Sequence, residues 1–479
     1  MIRTLIFNHP FQYELERIIR SFFPPVRFDL LTDAAYPEDN YIATEIRSGK
    51  MSCTVKDGEK VLSDIQPLPD GADKNRQEQL LSVMTCKLLE KYTGVKLDWG
   101  ILTGIRPVKL AQQYLERLGE KEGERVLKEE LLITDEKIRL AKQIAAVQKK
   151  PLESLRKNFF SLYVSVPFCP ARCSYCSFVS HSVKSAAKLI PDYVDKLCEE
   201  IIYTARVAKE LDFTLDTVYI GGGTPTVLTA EQLSRVFKAV EAFDTSYLRE
   251  YTVEAGRPDT ISREKLLAIK AAGAGRISIN PQTMNDSVLA AVGRNHTSAD
   301  IEQAFALARE IGFDSINADL IAGLPTDTYE GFCDSLERVI GLNPENITVH
   351  NLSLKRSAKL YHEEERYVPS GIGEMIAYSR GRLGQAGYLP YYLYRQKNSV
   401  ENHENIGWAK AGKESLYNIY IMEERQPIFA AGCSGSTKLV DFGTGAIARV
   451  YNFKYPYEYL ERFDEVLARK KEIVGFYKK

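Results

Sequence analysis

The 479-residue sequence contains no long apolar run. Nothing approaches the ~18 consecutive apolar residues a bilayer-crossing helix needs, so no membrane span is expected. Charge of one sign is also lacking: 63 Lys and Arg stand against 64 Asp and Glu, for a formal net charge of −1. Without a basic tail or polybasic block, no long-range attraction to nucleic acid or to an anionic membrane is expected. The opening stretch Met1–Pro10 is too short in apolar residues for a secretion signal, which points to a cytoplasmic protein. Cysteine is sparse, with eight residues at positions 53, 86, 169, 173, 176, 198, 333 and 433. In a chain of this length they do not form the disulfide framework of a small secreted domain. Five are scattered singly among apolar residues, as small buried hydrophobes are. The other three, Cys169, Cys173 and Cys176, crowd into one short stretch and call for chemistry.

What is present is an ordinary folded composition, 44% hydrophobic and 27% charged, in a chain long enough for two or three domains. Residues 1–150 read as an N-terminal α+β accessory module. A strand at Thr4–Phe7 leads to a helix at Gln12–Phe22, and alternating stretches follow at Tyr41–Arg47, Met51–Val55 and Lys60–Ile65, with Asp57-Gly58 as the hairpin signal. Helical patterns follow at Asn75–Tyr92, Val108–Leu118 and Thr134–Gln148, and the module carries no cofactor motif. Residues 151–360 are more regular. Apolar β-branched runs at Ser161–Val166, Thr217–Ile220, Tyr251–Glu254, Arg276–Ile279, Ser315–Leu320 and Ile347–Leu352 alternate with helical patterns. That alternation predicts an α/β fold: a partial, open six-unit (β/α) barrel with a parallel sheet. Residues 361–479 break the alternation and are expected to form a smaller C-terminal α+β cap domain, ending in an amphipathic helix at Glu458–Val474.

The unusual residues sit just after the predicted strands, the end at which βα loops converge on an active site. After the first strand comes Cys169-Pro170-Ala171-Arg172-Cys173-Ser174-Tyr175-Cys176; after the second, Gly221-Gly222-Gly223-Thr224-Pro225. The third ends in Glu254, the fourth runs into Pro281-Gln282, and the fifth into Asp319-Leu320-Ile321-Ala322-Gly323-Leu324-Pro325. The C-x3-C-x2-C spacing lets one loop supply three thiolates to three irons of a cubane, leaving a fourth iron open. Structural zinc is the competing reading; it wants four protein ligands, and His181 is the one nearby candidate for the fourth. The glycine run lacks phosphate-loop spacing. Read alone it is a tight turn, although glycines also admit a ligand close to the backbone. Glu254, Gln282, Arg294 and Asp319 are individually ordinary loop residues, yet charge at the end of a buried strand is costly without a partner.

Together these segments resemble the radical S-adenosylmethionine (SAM) superfamily. They are most similar to the oxygen-independent coproporphyrinogen III oxidase (dehydrogenase) family, in its HemZ-type branch. The likeness runs from about Phe160 to Leu439. It is carried by Tyr163–Cys169, the cysteine loop, Gly221–Thr226, Val253–Thr260, Arg276–Gln282, Gly293–Thr297 and Asp319–Pro325, and further by Tyr391–Asn398 and Ala431–Lys438. The resemblance implies a [4Fe–4S] cluster on Cys169, Cys173 and Cys176, with SAM chelating the open iron. It implies SAM contacts from Tyr163, Tyr175 (near the adenine), Gly222, Gly223, Thr224, Glu254, Gln282, Arg294, Asp319 and Ser353, with Arg294 forking to the SAM carboxylate. Tyr163 and the three cysteines would be the catalytic set, and a second SAM molecule occurs in such proteins. The implied reaction is reduction of the sulfonium to a 5′-deoxyadenosyl radical, which abstracts hydrogen from a porphyrinogen propionate; loss of CO2 and an electron then leaves a vinyl group.

Implied partners are a tetrapyrrole (coproporphyrinogen III or haem) and a low-potential electron donor such as flavodoxin or ferredoxin. Arg356, Arg395 and Lys397 are candidates for the propionates. The sequence departs from the best-known members in Ser165, where they carry histidine, in Phe178, where they carry a fourth cysteine, and in Asn280-Pro281 in place of Gly-Val. Two other functions share the likeness: a non-catalytic haem chaperone, and a radical SAM enzyme that methylates and opens haem anaerobically.

Overall fold

In a computed structural model of the chain, residues 2–23, 28–32, 36–37, 40–178, 180–353, 355, 357–362, 371–396 and 403–478 are described. They form two compact units, Met1–Ala145 and Ala146–Lys479. Among the described residues no helix is long and apolar enough to cross a membrane.

The first unit is a five-stranded sheet: β1 (Ile2–Phe7), β2 (Phe28–Thr32), β3 (Tyr41–Arg47), β4 (Lys50–Asp57) and β5 (Lys60–Pro67), in the order β2-β1-β3-β4-β5. The hairpin falls at the anticipated turn: Asp57 pairs with Lys60, and Gly58 takes a φ of +58° that suits glycine. The edge strand β2 was not anticipated. It pairs parallel to β1 along one side only, so it needs no strong two-faced alternation. The first helix, Gln12–Phe22, buries Leu15, Ile18, Ile19 and Phe22 in a core with Ile42, Met51, Val55, Leu81 and Met84.

The second unit is built on one sheet. Its strands are β6 (Phe159–Val166), the two-residue β7 (Phe168–Cys169) and β8 (His181–Ser182), β9 (Thr214–Gly222), β10 (Glu250–Glu254), β11 (Arg276–Ser278), β12 (Ser315–Ala322), β13 (Asn346–Asn351), β14 (Leu389–Arg395), β15 (Glu404–Ala409), β16 (Ile428–Ala431), β17 (Ser436–Val440) and β18 (Ile447–Tyr451). Apart from the β7–β8 pair they join in the order β14-β15-β13-β12-β11-β10-β9-β6-β16-β17-β18. The six strands read from the sequence lie side by side in chain order, every neighbouring pair parallel. Parallel neighbours require crossovers, and helices such as Ile190–Glu210, Ala230–Val240, Ser298–Ile311 and Tyr329–Gly341 supply them. Local signals fix their ends: Thr229 with Gln232 and Thr297 with Asp300 form capping boxes, and Gly312 closes its helix at a φ of +86°.

The C-terminal residues differ from the expected cap. The β14–β15 hairpin lies antiparallel on β13, while β16 lies parallel on β6 and continues into β17 and β18. The boundary expected at 360 therefore has no counterpart in the hydrogen bonding: residues beyond it extend both edges of the barrel sheet. An open six-strand sheet leaves two rows of unpaired backbone groups, and these segments cover them. The last helix is also interrupted at Arg462, into Pro456–Glu461 and Phe463–Tyr477.

A buried charge ties this return to the barrel. Glu200, on the helix Ile190–Glu210, accepts from Gly432 N (2.7 Å), Asn452 Nδ2 (2.7 Å) and Tyr459 Oη (2.6 Å), and pairs with Lys470 Nζ at 2.7 Å. Both charged side chains are buried. Lys470→Met should leave Glu200 uncompensated and cost about 3–5 kcal/mol, read as a lower urea midpoint for this unit. The double variant Glu200→Gln/Lys470→Met should recover most of that loss; equal midpoints for parent and single variant would refute the assignment.

Candidate active site at the ends of the barrel strands

The site begins with a register. In the β6–β9 pair Ser165 lies opposite Gly221 and Val166 opposite Gly222. Pairing then continues past both strands: Gly223 N donates to Val166 O and Thr224 N to Phe168 O, each at 2.8 Å. The β7–β8 pair matches Phe168 with His181 and Cys169 with Ser182, closing the base of the cysteine loop. Within that loop Cys176 N donates to Cys173 O (3.1 Å), and Ser174 N to Val292 O (3.1 Å). Thr224 Oγ1 lies 3.5 Å from Cys169 Sγ. Burial raises the thiols of Cys169 and Cys176, the latter to about 11, so taking up iron as thiolate must release protons.

The glycines are sterically required at this point. A Cβ on Gly223 would stand 2.5 Å from Phe168 O and 3.0 Å from Cys169 Sγ, and one on Gly221 would meet the Glu254 carboxyl at 2.9 Å. Gly222 has a φ of +110°. The bare backbone leaves a cradle between the thiol loop and Glu254.

Polar groups line the next strands. Glu254, at the end of β10, accepts from Tyr219 Oη at 2.6 Å. Burial raises its carboxyl to about 7, and the nearby Asp319 charge adds to the rise. Asp319 lies within β12 rather than after it; Asn317 Nδ2 donates to it at 2.8 Å, and His350 Nε2 stands 3.6 Å away. Burial raises the Asp319 carboxyl, but His350, Asn317 and Thr348 outweigh it and hold the group below its usual range. Gln282 takes a left-handed φ of +70° and is stitched onto β12, its N–H donating to Asp319 O (2.8 Å) and its carbonyl accepting from Ile321 N (2.9 Å). Its side-chain Oε1 is buried with no partner among the described residues. Strain and an orphaned acceptor at one residue are the marks of a site completed by a ligand.

Tyr163 stacks with Tyr219 at 6.2 Å and with Tyr417 at 6.3 Å, beneath Glu254. Tyr175 packs against the cluster of Val288, Val292, Ile321, Leu324, Leu352 and Leu360. Ser353 follows β13 and is half-buried.

Arg294 is held by the chain on several sides. Its Nη2 donates to the carbonyls of Gly256 (2.8 Å) and Asn280 (2.7 Å), and its Nη1 reaches Tyr175 Oη at 3.4 Å. Buried, with its Nε 3.4 Å from His296 Nε2, it ties the loops after β10 and β11 to the cysteine loop. Among the propionate candidates, Arg395 is buried at the end of β14, opposite Glu404, while Arg356 and Lys397 lie outside the described residues. Phe178 is 68% exposed.

Sequence reasoning missed Tyr219, Asn317 and His350. Tyr219 and Asn317 each sit two residues before a residue already singled out, so strand alternation alone places them on the same face. His350 is a polar residue within the apolar run of β13. Tyr417 could not have been found this way, because it arrives from the C-terminal segment.

Three thiols after one strand and polar groups on the next four define a cofactor-binding face of a partial (β/α) barrel. The Radical SAM superfamily pattern matches residues 163–339. The Bacillus subtilis oxygen-independent coproporphyrinogen-III oxidase-like protein HemZ is 39% identical, over 84% of this chain and 82% of its own length. The haem chaperone HemW of the same organism is 33% identical, over 59% of this chain and 73% of its length. Among solved structures, the coproporphyrinogen III oxidase HemN of Escherichia coli, a radical SAM enzyme, superposes with a TM-score of 0.53 at 26% identity, over 66% of this chain and 71% of that one. The chain belongs to the radical SAM superfamily, whose members use a [4Fe–4S] cluster and SAM, and within it to the HemZ-type branch of the oxygen-independent coproporphyrinogen III oxidase family.

Two outcomes follow from the geometry. Gly223→Ala should displace Cys169 and reduce iron bound per chain after anaerobic reconstitution; parental iron content would show that the cradle tolerates a Cβ. Glu254 generates a pH dependence. Below its ordinary 4.5 the carboxyl is protonated both folded and unfolded; between 4.5 and about 7 only the folded chain keeps the proton. Stability without cofactor should therefore fall as pH rises through that window, by about 3 kcal/mol once above it. Glu254→Gln should remove this contribution, so that from pH 4 to pH 8 the parent loses more stability to urea than the variant.

Proposed function

We propose that the chain is a radical SAM oxidoreductase that decarboxylates propionates of coproporphyrinogen III to vinyl groups, giving protoporphyrinogen IX without oxygen. The observation that carries the cofactor part is the buried Oε1 of Gln282, unpartnered among the described residues, on a backbone stitched to the Asp319 strand. The donor set fits: three thiols suit three irons, and the acceptors Gln282, Glu254 and Asp319 suit the ammonium and hydroxyls of SAM. The substrate part draws on the likeness to HemN and to the HemZ protein.

In this reading Cys169, Cys173 and Cys176 hold the cluster. Gly222, Gly223 and Thr224 let SAM approach the backbone, and Tyr163, Tyr175, Glu254, Gln282, Asp319 and Ser353 surround it. When bound, cluster and SAM together supply one-electron reduction and hydrogen abstraction. The chain does the rest. Glu254, its pKa near 7, takes full negative charge as it meets an ammonium, while Tyr219 Oη fixes the oxygen that does not. Asp319, already ionised, holds a hydroxyl or a cation with its orientation set by Asn317. Arg294 acts on Tyr175 and the loop carbonyls. The stacked Tyr163, Tyr219 and Tyr417 wall off the floor and exclude water. The reductant would be a low-potential flavodoxin or ferredoxin, and the location cytoplasmic.

A haem-chaperone reading draws on the HemW relatives, of which the Bacillus subtilis protein matches 59% of the chain against 84% for the HemZ protein. Anaerobic incubation of the reconstituted protein with SAM, dithionite and coproporphyrinogen III separates the two. Vinyl products with CO2 are expected, and Gln282→Ala should raise the KM for SAM at least tenfold. Abundant 5′-deoxyadenosine with unchanged porphyrinogen would overturn the substrate assignment. Tight haem binding with transfer to an apoprotein and no turnover would favour the chaperone.

A further inference from the structure

Arg257 has no part in holding SAM in the reading above, yet its placement is highly determined. It follows the end of β10 by three residues and is buried, its side chain only 5% exposed. Its Nε and Nη2 donate to the two oxygens of Asp259, each at 3.0 Å, so the guanidinium is held by a bidentate fork. The free edge faces the thiol loop: Nη1 lies 3.5 Å from Cys173 Sγ. On the far side of Asp259 stands His296, its Nδ1 3.7 Å from Oδ1. A buried arginine is costly unless paired. Asp259 answers that cost but leaves one N–H directed at a sulfur, and the charge cannot be lost because guanidinium does not deprotonate in proteins. Arg294, beyond β11, turns its Nη2 onto carbonyls instead.

We infer that Arg257 is a positioning residue that tunes the iron–sulfur cluster, raising its reduction potential through a fixed cation and N–H directed at the Cys173 sulfur. Reduction adds one negative charge to a cluster already carrying thiolates. A cation within hydrogen-bond reach of a ligand sulfur, shielded from water, stabilises that reduced form more than the oxidised one. Asp259 does the opposite at longer range, while fixing where the cation points. The inference rests on Cys173 being a cluster ligand.

The test uses full-length protein reconstituted anaerobically. Iron and sulfide per chain are measured first, and then the midpoint potential by a redox titration followed by electron paramagnetic resonance. Arg257→Gln should keep its iron and shift the midpoint to a more negative value, while Arg257→Lys retains part of the parental value. Asp259→Asn should shift it the other way, because a negative charge is removed and the guanidinium stays. An unmoved midpoint in an iron-replete Arg257→Gln protein would overturn the inference. So would shifts of the same sign in the Arg257→Gln and Asp259→Asn proteins, the outcome of a purely structural role. If Arg257→Gln binds too little iron to titrate, the sign of the Asp259→Asn shift decides. Full iron content in Cys173→Ser would instead remove the ligand assignment beneath both readings.

Discussion

The geometry of the site depends on one stretch of backbone pairing, the continuation of the β6–β9 ladder into Val166–Phe168 and Gly223-Thr224. Two parallel strands normally diverge into loops at their ends. Here two further 2.8 Å hydrogen bonds keep the thiol loop and the glycine run in contact beyond the strands. Close approach is possible only where no Cβ intervenes, which accounts for three successive glycines. Because Cys169 begins the thiol loop at this point, a shift of one residue in the register would move a thiol and the cradle together. The positions of Glu254 and Tyr219 follow from the same sheet, since Gly221 leaves room for the carboxyl that Tyr219 holds.

Around this ladder the polar residues form a layer in which each charge has an assigned neighbour. Tyr219 holds Glu254, Asn317 holds Asp319, Asp259 holds Arg257, and main-chain carbonyls hold Arg294. Gln282 Oε1, by contrast, is held by a left-handed backbone and has no partner among the described residues. A site built to receive a ligand keeps its supports satisfied and its receiving atoms open. The carbonyls that hold Arg294 offset the cost of burying its guanidinium in the empty state.

Much of this was legible from the residues. The six strands, their helices and the end of the barrel carrying the chemistry all follow from hydrophobic periodicity and from polar residues clustered after apolar runs. Asp57-Gly58 fixed its turn because that signal acts over three or four residues. Legibility failed where a residue's role depends on a distant partner. Tyr417 reaches the tyrosine stack from the C-terminal segment, and β16 finds its place only against β6, far away in the chain.

The sequence by itself determined the parallel order of the central strands and the thiol spacing, because these are local properties of periodicity and reach. Only the tertiary structure decided that residues beyond 360 complete both edges of the sheet, that Tyr417 joins the stack beneath Glu254, and that Arg257 faces a sulfur while Arg294 does not. Each of those pairings joins residues far apart in the chain. Their energetics come from burial and mutual satisfaction of charge, and neither exists until the sheet has brought the partners together.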